Sequence, residues 1–160
     1  MAASRPKGTD APERAAFPRV LILCPDLEIG GLQSVAVNLA RGLSDLGVHP
    51  LCLVLRRGGA LRSLLPQTIE VHELGCTSQP LALLLPTSKL GRALRAAQPD
   101  VVISLGHTTN LLAAWAKVLW GFPFSLVASE HSTLSQRIAD GSALSRLRRR
   151  LRARSLYRKA

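Results

Sequence analysis

Short apolar segments alternate with longer segments of helical apolar spacing, and this alternation constrains the fold more than any other feature of the chain. Strands are predicted over residues 19–24, 51–55, 68–73, 101–104 and 124–129, and helices over residues 31–46, 88–97, 108–119 and 142–159. Short turns between such segments are typical of parallel strands with helices on both faces. The sequence therefore predicts an α/β fold with a Rossmann-like, doubly wound parallel sheet.

The first helix has the clearest pattern. Its apolar residues recur three, four, seven and eight positions apart, which places them on one face, and they are Leu32, Val35, Ala36, Leu39, Ala40, Leu43 and Leu46. Gly47 directly follows and is a typical C-terminal stop. This segment is predicted to pack on the sheet.

The length of 160 residues and the apolar content of 47% predict one domain with a hydrophobic core. Residues 1–18 are polar, lack the apolar segment of a signal peptide and are expected to form a flexible tail, with the domain over residues 19–160. No apolar run reaches the ~18 residues of a membrane span. We therefore expect a cytoplasmic protein.

Three widely spaced cysteines, Cys24, Cys52 and Cys76, form no C-x-x-C pair. They predict neither a disulfide framework nor a zinc site, and they favour a reducing compartment. Cys24 and Cys52 lie within apolar runs, so we expect them to be small buried hydrophobic residues.

The positive charge is concentrated at one end of the chain. Eight of the eleven net charges lie in residues 137–160, where Leu144, Leu147 and Leu151 form one helical stripe. Such a helix fits an anionic membrane surface, nucleic acid, or packing against the sheet with its arginines in water. Nucleic acid is disfavoured because no binding motif is present and aromatic residues make up only 4% of the chain.

Gly30 and Gly31 follow the first strand and open the first helix. Ligands of doubly wound sheets bind at the carboxyl ends of the strands, and unpaired N–H groups at a helix start stabilise an anion such as a phosphate. A glycine pair also forms a simple bend. Both interpretations stay open from this pair alone.

A nicotinamide dinucleotide site is disfavoured by the same segment. It requires G-x-G-x-x-G tight against the first strand and an acidic residue after the second, whereas six residues separate Cys24 from Gly31 and the second strand ends in Arg56 and Arg57. No G-x-x-x-x-G-K-[ST] motif is present either, which excludes a P-loop.

Polar residues also follow the fourth and fifth predicted strands. The fourth strand is followed by "SLGHTTN", with Ser104, His107, Thr108 and Asn110, and the fifth ends in Ser129, Glu130 and His131. Hydroxyl, amide and imidazole groups at neighbouring strand ends suit hydrogen bonding to a sugar, although Thr108 could simply cap its helix. No histidine spacing supports a metal site.

These segments, in this order, resemble the N-terminal domain of family-4-like retaining glycosyltransferases, which have the two-lobed GT-B fold. The segments are "GGLQSVAVNLARGLSDLG", "HPLCLVL", "PDVVISLGHTTNLLAAWA" and "FSLVASEHSTLS". The resemblance implies that Gly30 and Gly31 lie under the donor diphosphate and near the acceptor. It implies that His131 is the catalytic-site histidine that faces the donor sugar, with Ser129 and Glu130 beside it.

The resemblance further implies that His107, Thr108 and Asn110 border the acceptor pocket. Gln33 stands where many relatives have Glu. The family's second lobe, which holds the nucleotide, follows the point where this sequence stops, so we expect this chain to be an incomplete first lobe with little or no transferase activity alone.

The implied donor is a UDP- or GDP-sugar, with no metal or other cofactor, and the implied acceptor is a saccharide or lipid-linked molecule at the inner membrane face. The alternative is a non-catalytic Rossmann-like binding module that pairs with a partner lobe or with an anionic membrane through its Arg-rich helix.

Overall fold

The computed structural model describes residues 17–76 and 88–130. These residues form a five-stranded parallel sheet in the order β3-β2-β1-β4-β5, which confirms the predicted α/β class. The strands are β1 Val20–Cys24, β2 Leu51–Val54, β3 Val71–Glu73, β4 Val101–Leu105 and β5 Ser125–Ser129, and the helices are α1 Gly31–Asp45, α2 Lys89–Ala97 and α3 His107–Trp120. The expected tail and the Arg-rich helix over 142–159 lie outside the described residues, apart from Phe17 and Pro18.

Both faces of the sheet are covered, because alternate residues of each strand point to opposite sides. In β1, Leu21 and Leu23 pack in a core with α2 and α3, whereas Ile22 and Cys24 pack in a second core with α1. All four of these side chains are at most 1% exposed. Helices on both faces are what the doubly wound prediction requires.

The buried face of α1 differs from the predicted face at three positions. Val35 is 38% exposed and Leu46 is 73% exposed, while Val37, which the pattern omitted, is buried. The helix packs through Ala36, Val37 and Ala40, and it ends at Asp45, so Leu46 is already its C-cap. The stripe is therefore rotated toward Val37.

The third strand is shorter than predicted. It begins at Val71 rather than at residue 68, because the preceding residues form a turn in which the amide of Ile69 donates to the carbonyl of Pro66 at 3.0 Å. Ile69 is buried from that turn. A short 3₁₀ helix, Ala60–Leu64, connects β2 to this turn.

The strand order reverses between β1 and β4: β2 and β3 are added on one side of β1, and β4 and β5 are added on the other. β1 and β4 therefore pair directly, although two strands lie between them in sequence. In doubly wound sheets the crevice at such a switch point, at the carboxyl ends of the strands, is where ligands bind. The loops that follow β1 and β4 are therefore placed at the expected ligand edge. Among the described helices, none is long and apolar enough to cross a membrane.

Candidate functional site

The loops after β1 and β4 touch each other at Gly106, the N-cap of α3. A side chain on Gly106 would lie 2.7 Å from Leu32 Cδ1 in the first turn of α1, and Gly106 has a φ of +93°. Only glycine fits both this close approach and this backbone conformation. The contact holds the beginnings of α1 and α3 side by side at the edge of the sheet.

The beginning of α1 has the electrostatics of an anion site. Gly30, its N-cap, contributes no side-chain hydrogen bond, and the first turn carries no acidic residue. The first N–H groups of a helix have no partner within the helix, and the helix dipole is positive at this end. An incoming phosphate would meet no competing carboxylate in the first turn.

Gly30 and Gly31 have different roles, although they are adjacent. A side chain at Gly30 would collide with Oε1 of Gln33, whereas a side chain at Gly31 would meet no heavy atom within 4 Å. The backbone at Gly30 is extended, with a φ of 179°, so its conformation does not demand glycine. Gly30 makes room for Gln33, and Gly31 leaves open space.

Asp26 is a site residue that the sequence analysis missed. Its side chain is 2% exposed and accepts hydrogen bonds from the Gln33 amide nitrogen at 2.7 Å, from the Glu28 backbone amide at 3.1 Å and from the Arg56 guanidinium. Burial alone would raise the pKa of Asp26, but these donors and the Arg56 charge outweigh it, so the pKa lies below its usual range. Asp26 is therefore a buried carboxylate with three donors.

The same loop is joined by its backbone to the segment that follows β2. The amide of Arg56 donates to the carbonyl of Pro25 at 2.9 Å, and the amide of Leu61 donates to that of Leu27 at 2.9 Å. Gly59 packs so closely that a side chain there would collide with the Leu27 carbonyl. The segment that follows β2 thus fixes the path of residues 25–28, which follow β1.

The ends of β4 and β5 meet under the first turn of α3. The carbonyl of Ser129 accepts hydrogen bonds from the Gly106 amide at 2.9 Å and from Asn110 Nδ2 at 3.0 Å. His107 Nδ1 lies 3.5 Å from Glu130 Oε2, and their side chains are 39% and 22% exposed. The structure thus brings together His107, Asn110, Ser129 and Glu130.

Two polar atoms in this cluster lack a hydrogen-bond partner among the described residues. They are Nδ1 of His107 and Oδ1 of Asn110. Asn110 is only 1% exposed, so its unused acceptor is an exception to the rule that buried polar atoms are paired. Hydroxyl groups of a ligand are one chemical means of satisfying such atoms.

Three predictions for this region have different outcomes. Thr108 does not cap α3, because the helix begins at His107 and its N-cap is Gly106. Thr108 is exposed, and the neighbouring Thr109, which is buried, donates instead to the carbonyl of Gly106 at 2.8 Å. Ser104 does not reach the loop, because β4 continues to Leu105 and buries Ser104 completely. His131 lies outside the described residues.

Cys24 and Cys52 are buried in the core that α1 covers. Burial is the main cause that raises the pKa of Cys24 to about 12 and that of Cys52 to about 11, and both thiols are at most 2% exposed. This confirms the prediction of small buried residues. Residues 17–76 and 88–130 contain no group of three or more His, Cys, Asp or Glu side chains that could hold a metal ion.

The parallel sheet with helices on both faces is a Rossmann-like lobe. At its switch point, the start of α1 without a side-chain cap lies near a cluster of histidine, amide and carboxylate side chains. Residues 30–160 match the model of the Glycosyl transferase 4-like domain family. The chain belongs to this family, which confirms the resemblance read from the sequence.

One solved structure with the same fold is the crystal structure of Anabaena Alr3699/HepE in complex with UDP and glucose. The TM-score is 0.61 and the identity is 19%, with 88% of this chain covered. This chain spans 36% of the length of that protein. A comparison with curated protein sequences gave no match.

Proposed function

We propose that this chain provides the acceptor-side lobe of a glycosyltransferase that transfers a sugar from a nucleotide-sugar donor to a saccharide or lipid-linked acceptor. The observation that carries the proposal is the open space over Gly31 at the uncapped start of α1. Family membership supports the reaction type, and the UDP and glucose in the HepE structure support a nucleotide-sugar donor.

In this proposal the diphosphate of the donor lies at the start of α1. Transfer builds negative charge on the departing diphosphate, so N–H groups aimed at it stabilise the transition state. His107, Asn110 and Glu130, on the neighbouring loops, form hydrogen bonds with sugar hydroxyls. We expect no metal, because the helix dipole and a second lobe supply the positive potential.

This chain spans 36% of the HepE chain. In our proposal the complete transfer reaction therefore requires a second lobe in addition to this one. His131 as the residue facing the donor sugar remains a prediction. The alternative of a non-catalytic module that binds a partner lobe or an anionic membrane through residues 142–159 also remains a prediction.

The test is Gly31→Asp, with Gly42→Asp as the matched control. Both glycines lie in α1, and neither has a heavy atom within 4 Å of the position a side chain would take. A carboxylate at position 31 repels the diphosphate by about 1–4 kcal/mol, yet it stabilises the helix because it lies at the positive end of the dipole.

We expect isothermal titration with UDP to show affinity lowered about tenfold or more in Gly31→Asp and changed less than about twofold in Gly42→Asp. The free energy of unfolding should not fall in Gly31→Asp. Equal UDP affinity in Gly31→Asp and the wild-type chain would contradict the proposal.

A further inference from the structure

Asp26 and Gln33 close the loop that carries Gly30 and Gly31. The Gln33 side chain turns back over Gly30 so that its Nε2 reaches Asp26 Oδ1 at 2.7 Å. Its Oε1 occupies the space that a side chain on Gly30 would need. A single side chain therefore spans the loop from the first turn of α1 to the end of β1.

The carboxylate of Asp26 is held from two further directions. The Glu28 amide, within the loop, donates to the same oxygen as Gln33, and Arg56, from the end of β2, donates to the other oxygen. Because the side chain of Asp26 is 2% exposed, water does not compete for these donors. A change at Asp26 is therefore transmitted to the loop rather than absorbed by solvent.

We propose that Asp26 is a positioning residue, which acts through Gln33 to hold the Gly30-Gly31 loop in the conformation that presents the first N–H groups of α1 to a diphosphate. We call the hydrogen bond from Gln33 to Asp26 the Asp26-Gln33 brace. Gly30 has no side chain so that Gln33 can form this brace, and only Gly31 faces the ligand. The effect on ligand binding rests on the proposed function, whereas the effect on loop conformation does not.

Three single substitutions break the brace at different atoms. Asp26→Asn removes the charge, Gln33→Ala removes the donor, and Gly30→Ala places a methyl group where Gln33 Oε1 lies. Each should displace the backbone amide resonance of Gly31 and lower UDP affinity about fivefold or more. The matched control is Asp100→Asn, at the Arg19-Asp100 ion pair on the opposite edge of the sheet.

The decisive comparison is Gly30→Ala in two backgrounds. In a Gln33→Ala background the colliding oxygen is absent, so adding Gly30→Ala should change neither the Gly31 resonance nor the UDP affinity further. Additive losses would overturn the proposal. So would variants that lose thermal stability but keep the Gly31 resonance and UDP affinity of the wild-type chain.

The two readouts separate the two proposals. If the wild-type chain does not bind UDP, the proposed function fails, and the Gly31 resonance in the ligand-free variants still decides whether Asp26 positions the loop. If UDP binds but the resonance and affinity are unchanged in all three variants, only the positioning role fails.

Discussion

The two loops that meet at the switch point are constructed differently. In the loop after β1, the Asp26 carboxylate and the carbonyls of Pro25 and Leu27 all accept hydrogen bonds from other groups of the protein. The start of α3 leaves His107 Nδ1 and Asn110 Oδ1 without hydrogen bonds among the described residues. The first loop is held by hydrogen bonds within the protein, whereas the second leaves two polar side-chain atoms without a partner among the described residues.

The largest effect is expected where the first loop is packed most tightly. Gly59→Ala should lower the free energy of unfolding by about 2–4 kcal/mol, because Gly59 has a φ of +118° and its new methyl group would collide with the Leu27 carbonyl. Gly58→Ala is the control, since its φ is +78° but its surroundings are open, and about 1 kcal/mol is expected. If urea unfolding gave equal losses of unfolding free energy for Gly59→Ala and Gly58→Ala, the close packing of Gly59 on Leu27 would contribute nothing to stability.

A smaller, pH-dependent effect is expected at Asp26. Its folded pKa is lowered, so its stabilisation is complete above the unfolded pKa of about 3.9 and is lost as the pH falls through the folded value. Asp26→Asn should therefore reduce the free energy of unfolding by about 1–2 kcal/mol at pH 7 and at pH 5, and by less at pH 3. Urea unfolding at these pH values measures the difference in unfolding free energy between the wild-type chain and Asp26→Asn. A difference that is larger at pH 3 than at pH 7 would contradict a negatively charged Asp26 in the folded protein.

The smallest effect on stability is expected in the second loop. His107→Ala should change the free energy of unfolding by less than about 0.5 kcal/mol, because the side chain is 39% exposed and its Nδ1 has no hydrogen-bond partner among the described residues. The same urea experiment measures it. A loss of unfolding free energy as large as that of Asp26→Asn would show that His107 stabilises the fold. The start of α3 would then be held by its side chains as the loop after β1 is.

The sequence predicted the order and type of the described strands and α-helices because each depends on local apolar spacing, but it did not predict the 3₁₀ helix Ala60–Leu64. It also placed His107, Asn110, Ser129 and Glu130 at one edge, since parallel strands bring their carboxyl ends together. Thr108 was mistaken for a possible cap because glycine and threonine both precede helices, and only the backbone shows which residue is the N-cap.

The brace at Asp26 was not predicted, because its partners come from α1 and from the end of β2. The available signal was an acidic residue seven positions before Gln33 and directly after a buried strand, with an arginine after the neighbouring strand. Pairing between loops of different crossovers depends on sheet order, which local spacing does not encode.

In the proposed function, a nucleotide sugar binds where the starts of α1 and α3 lie side by side. Amide resonances of the isotope-labelled chain, followed during titration with UDP and then with glucose, test it most directly. We expect UDP to shift the resonances of Gly30 and Gly31 and glucose to shift those of His107 and Glu130. Shifts confined to the cleft at the opposite edge, lined by Arg19, Gln98 and Phe122, or none at saturating UDP, would contradict it.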